Sequence, residues 1–168
     1  MAPPIRKASA ALGGIVLAGG LAVAAPAPTA TPAPGDTEAG AASRAAQEYG
    51  RDAFVATNSV RANRDRSRLA HHDCLHRYAK RQARKMAERQ EIWHQDMQRI
   101  LRDCHLDYVG ENVAAGFRTG RSVVRDGWMR SEGHRENVLD GGFRRVEVVA
   151  RKGGDGRWYA AQVFGRPR

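Results

Sequence analysis

Cysteine is scarce in this 168-residue chain: there are two, Cys74 and Cys104, 30 positions apart. Neither belongs to a Cys-x-x-Cys pair, which argues against a zinc site built on thiolates. Other signatures are missing as well. No His-Glu-x-x-His stands on any helix-like segment, no Gly-x-Ser-x-Gly surrounds a serine, and no internal repeat is visible. Aromatic residues make up 7% of the chain and do not interleave with the arginines, and no helix-turn-helix or zinc-finger spacing is present. Nucleic-acid recognition is therefore not expected.

Uncharged apolar sequence is confined to the start. "MAPPIRK" carries Arg6 and Lys7, "ASAALGGIVLAGGLAVAA" follows without charge, and Ala22-Val23-Ala24 has the small-x-small form a signal peptidase accepts. Residues 1–24 read as a secretory signal peptide cleaved after Ala24. A retained membrane anchor is the competing reading, but the run barely reaches the ~20 residues a spanning helix needs. Residues 25–47 are rich in Ala, Pro and Thr and hold almost no large apolar side chain, so a disordered linker is expected there. Ordered structure is expected from Glu48, leaving residues 48–168 as one domain with a core of its own.

In a secreted chain an even cysteine count points to a bridge, and closing this loop would stabilise the fold by about 3–4 kcal/mol. The formal charge is +10, and cleavage of the signal removes two positive charges to leave +8. That balance favours anionic partners such as wall polymers or a membrane surface.

What is present begins with helices. Residues 48–64 have a loose helical pattern. Residues 73–90 repeat Leu75, Ala79, Ala83, Met86 and Ala87 at three- and four-residue spacing, with Asp73 as the expected N-cap. The opposite face carries Arg77, Lys80, Arg81, Arg84, Lys85 and Arg89, a solvated face that could also meet polyanions. A short helix is expected at residues 95–104, with Met97, Ile100 and Leu101 inward. "VGENVAAG" reads as extended or looped, and Gly127 weakens a helix over "RSVVRDGWMR". The C-terminus changes period: "RRVEVVAR" and "RWYAAQVFG", joined by "KGGDG", read as an antiparallel hairpin. The class is α+β.

Of the six histidines, His71, His72 and His76 cluster before and within the second helix. They read as surface side chains, although His72 and His76 have i, i+4 spacing. His94, Glu111 and His134 each follow an apolar or glycine-rich segment. Two imidazoles and a carboxylate suit a divalent transition metal with an open position, but separations of 17 and 23 residues cannot by themselves bring them together.

Taken in order, "WHQDM", "VGENVAAG", "VVRDGWMRSEGHRENVL" and "RWYAAQVFG" resemble the CAP superfamily, the cysteine-rich secretory, antigen 5 and pathogenesis-related 1 proteins, also called SCP domains. The bacterial branch, with Trp-x-x-Ser-x-Gly-His-Arg-x-Asn, is the nearer match, and the similarity covers about residues 48–166. The resemblance implies a three-layer α-β-α sandwich with a small antiparallel central sheet. It also implies a cleft lined by two histidines and two glutamates that can hold zinc or another divalent cation. By motif, His94 and His134 are the metal-binding pair and Glu111 the first glutamate. The second glutamate position is Ser131, Asn112 joins the cleft, Glu132 stands where proline is usual, and Glu147 where glycine is usual.

Ser131 without a Gly-x-Ser-x-Gly reads as an N-cap, Trp128 as core, and Asn112 and Asn137 as pins for loop backbone. The expected function is a secreted, monomeric, non-catalytic module that binds a small lipid-like or envelope ligand, at the cell envelope or in the extracellular space. A metal-dependent hydrolase using His94, Glu111 and His134 is one alternative. An adhesion module for anionic wall polymers or lipids is the other.

Overall fold

The computed structural model describes residues 38–168; the expected signal peptide and the first part of the expected linker lie outside these residues. Helix α1 runs Glu38–Ala62 and so begins ten residues before the expected start at Glu48. The stretch 38–47 lacks large apolar residues but has five alanines with Glu38 in the first turn, and alanine is the strongest helix former. Residues 38–47 are thus helix, with Ala46 the first buried side chain, and the linker expectation fails there.

Helix α2 (Asp73–Arg89) buries the predicted stripe of Leu75, Ala79, Ala83, Met86 and Ala87, together with Tyr78 and Gln82. Its N-cap is His72 instead of Asp73: the His72 ring accepts the Leu75 N–H at 3.4 Å. Gln90, at φ 58°, ends it in the left-handed conformation. Helix α3 (Met97–Asp103) is capped by Asp96, and Cys104 at its end is bonded to Cys74 at the start of α2.

Strand β1 (Leu106–Ala115) is longer than "VGENVAAG", and β2 (Arg145–Lys152) and β3 (Trp158–Pro167) form the predicted hairpin. The sheet is antiparallel with order β1-β3-β2, so β1 and β2 are its edges. One face packs Ala114, Val146, Val148, Ala150, Ala160 and Phe164 against α1 and the segment around Trp128. The other packs Val113, Val149, Ala161 and Val163 against α2 and α3. The result is the expected three-layer α-β-α sandwich.

Between β1 and β2 the chain turns through α4 (Gly120–Ser122), a π turn (Val123–Gly127), a 3-10 turn (Trp128–Arg130) and α5 (Glu132–Leu139). The helix breaks at Gly127, which leaves helical geometry at ψ −87°, and a Cβ there would lie 2.6 Å from the Phe117 ring. Trp128 is buried core. Gly50 lets α1 lie directly on the sheet, since a Cβ would stand 2.7 Å from the Val148 carbonyl oxygen.

Candidate functional site

His94 sits in the loop between α2 and α3. Gln82, buried on α2, donates its side-chain amide to the Trp93 carbonyl, and the Arg89 guanidinium lies over the Trp93 ring. The loop is then fastened to β1 through Glu111. The Glu111 Oε2 accepts from His94 Nδ1 at 2.9 Å and from the Gln95 N–H at 3.1 Å, while Oε1 accepts the Gln95 side-chain amide at 2.6 Å. Glu111 is 1% exposed at its side chain and His94 58%. Burial pushes the Glu111 carboxyl above its usual range, and the bonds from Gln95 and His94 oppose that shift.

Since a carboxylate only accepts, the His94 Nδ1 carries the hydrogen, and whenever the ring is neutral its Nε2 keeps the lone pair. This is the orientation in which carboxylate-bound histidines ligate metals.

His134 arrives from the opposite layer. Asn112, the residue after Glu111, points to the other face of β1, where it donates to the His134 carbonyl at 3.1 Å and to Gln162 Oε1 at 2.9 Å. Asn137 donates to the Glu111 carbonyl at 3.1 Å and to Asn112 Oδ1 at 2.9 Å. The buried Arg61 holds the far end of α5 by donating to the carbonyls of Val138 and Asp140. Burial, and then the nearby charge of His94, lower the pKa of His134, which favours its neutral form.

His94 is therefore held on Glu111 at one edge of the sheet, and the backbone of His134 is tied to the same strand through Asn112. Two expectations change. Asn112 is fully buried and ties β1 to α5 instead of lining the cleft. Ser131 occupies the N-cap position of α5, but its side chain makes no capping bond. Glu132 is exposed. Among the described residues no group of three or more His, Cys, Asp or Glu side chains is arranged to hold a metal ion. Glu111 stands behind His94 as its orienting carboxylate.

Comparison with known proteins agrees with this fold. Residues 54–164 match the model of the CAP, or cysteine-rich secretory protein, family. The chain belongs to the CAP family. A 39-residue stretch is 49% identical to the uncharacterized protein YkwD of Bacillus subtilis (strain 168), covering 23% of this chain and 15% of that relative. An extracellular SCP-domain protein of Bacillus anthracis superposes with a TM-score of 0.64 at 24% identity, over 74% of this chain and 42% of its own. An outer surface protein of Borrelia burgdorferi gives 0.61 at 22% identity, over 68% and 90%. These likenesses are to the fold. Asn137 pins the Glu111 carbonyl as expected, whereas within this CAP domain Gln95, Gln162 and Arg61 are supporting residues the motifs did not announce. Apart from the bond of Arg61 to the Ser67 carbonyl, the bonds they make span from 16 to 105 positions and leave no local pattern.

Proposed function

We propose that this CAP domain is a secreted, non-catalytic binding module whose cleft holds a divalent cation through His94 and His134. The observation that carries the reading is the Glu111–His94 bond. A buried carboxylate fixes the ring so that Nε2 is free, beside a second imidazole that burial keeps neutral. Neutral imidazoles suit zinc, and two of them leave positions open for water or a ligand group. Secretion is supported by the signal-like start, by the Cys74–Cys104 bridge, and by the description of similar structures as extracellular or outer-surface proteins.

The test is zinc added at pH 7.5 to protein labelled with ¹⁵N in histidine, followed through the imidazole nitrogen resonances. The Nε2 signals of His94 and His134 are expected to move together. If both stay in place at excess zinc, the reading fails.

A second reading is favoured by the outer face of α2, where Arg77, Lys80, Arg84, Lys85 and Arg89 are all exposed. That face fits adhesion to an anionic wall polymer or lipid surface, and such binding would weaken steeply with added salt.

A further inference from the structure

Glu147 repeats, at the other edge of the sheet, the device that holds His94. Glu111 on β1 and Glu147 on β2 both pair with Val163 of β3, so both carboxylates leave the same sheet face. At each, a histidine Nδ1 and the next residue's N–H converge on one oxygen. For Glu147 these are His71 Nδ1 at 2.9 Å and the His72 N–H at 2.8 Å, both on Oε1. The second oxygen is where the two differ. Gln95 occupies it at Glu111, whereas at Glu147 it accepts from His76 Nδ1 at 3.3 Å. One buried carboxylate thus holds two imidazoles.

The exposures separate the roles. Glu147 is 7% exposed at its side chain, His71 69% and His76 50%. Against an acceptor-only carboxylate both Nδ1 atoms carry hydrogen, so both rings keep their lone pair on Nε2. Phe54 stacks on the His71 ring with centroids 4.0 Å apart and further fixes its plane. Both rings line a groove of about 630 Å³ between α1 and α2, along with Phe54, Asp73, Lys80 and Arg151; none of His94, Glu111 or His134 lines it. The i, i+4 pair His72 and His76 is not the pair that forms, because the His72 ring caps α2.

We propose that His71 and His76 are a second site for a divalent transition-metal ion, bound through their Nε2 atoms, with Glu147 as the orienting carboxylate that does not itself ligate. Two imidazole donors suit zinc or copper(II). The remaining positions face a groove that Lys80 and Arg151 also line, which favours an anionic group as the further ligand.

The deciding experiment removes the first site. In protein carrying His94→Ala and His134→Ala, zinc titrated by calorimetry at pH 7.5 is expected to bind with one equivalent. Adding His76→Ala or His71→Ala is expected to weaken that binding at least 10-fold. Glu147→Gln is expected to weaken it about 10- to 100-fold, as loss of an orienting carboxylate does. Should Glu147→Gln fail to fold, the exposed His76 ring still decides the matter. No zinc binding in the His94/His134 double variant, or binding that His71→Ala and His76→Ala both leave intact, overturns the proposal. Because the first-site histidines are absent, the outcome is independent of whether that cleft holds metal.

Discussion

Asn112 donates its side-chain amide to the backbone carbonyl of His134 across 3.1 Å, while its neighbour Glu111, on the opposite face of the same strand, holds the ring of His94. Two consecutive residues of an edge strand thus position the two cleft histidines from the two helical layers. Asn112→Ala removes no cleft group, yet it strands the His134 carbonyl and Gln162 Oε1 without this donor and Asn137 without one of its acceptors. A loss of about 1–3 kcal/mol in urea unfolding is expected. Zinc affinity should fall as well, because α5 loses its tie. Unchanged stability would show that the network is dispensable.

Gly50 is expected to tolerate no side chain. A Cβ would stand 2.7 Å from the Val148 carbonyl oxygen, a backbone atom of β2 that cannot swing aside. Gly50→Ala should destabilise the domain by about 1–3 kcal/mol, as overpacking does, despite alanine's better helix propensity. Thermal melts of the two proteins check this, and a stabilised variant would contradict the packing of α1 on β2.

The His134 environment predicts a pH dependence. Burial and the His94 charge hold its folded pKa below the ordinary value near 6.5. As pH falls below that value, the unfolded chain takes up the proton more readily, and stability declines. Glu111 works in the opposite sense: its raised pKa lowers stability as pH rises through it, but it is common to wild type and a His134 variant. Between pH 7.5 and 5, wild type should therefore lose more stability than His134→Gln. Parallel urea midpoints at the two pH values would contradict the depressed pKa.

The α2 stripe and the C-terminal hairpin were legible because their periods, 3.6 and 2, are local. The first turns of α1 were not, because residues 38–47 hold no large apolar side chain whose period could mark a buried stripe, and only alanine's propensity favours helix there. Glu147 was legible only as an unusual residue on a strand; its partners His71 and His76 lie 76 and 71 positions away. Asn112 was misplaced for a specific reason. Residues 111–114 are all buried, because helices cover both faces of β1, so burial does not alternate and gives no sign of which face each side chain takes.

The basic face of α2 should contribute little to folding. Arg77 and Arg84 are exposed, Arg84 meets Glu88 at 3.6 Å on the surface, and Arg81 lies 4.2 Å from the Tyr78 ring centroid. Reversing all three to glutamate is expected to cost about 1 kcal/mol, most of it the Arg81–Tyr78 contact. Binding to anionic vesicles or wall polymer should drop in a pull-down assay. A variant that unfolds would show that these arginines are structural partners.

The most direct measurement on the cleft is a zinc-soaked crystal, with anomalous difference density mapped at the zinc edge. A peak within bonding distance of one nitrogen each of His94 and His134, with the Glu111 carboxylate behind His94 and outside the coordination sphere, is the predicted result. A soaked crystal without density between those two rings would contradict the metal-holding cleft, whatever is found elsewhere on the domain.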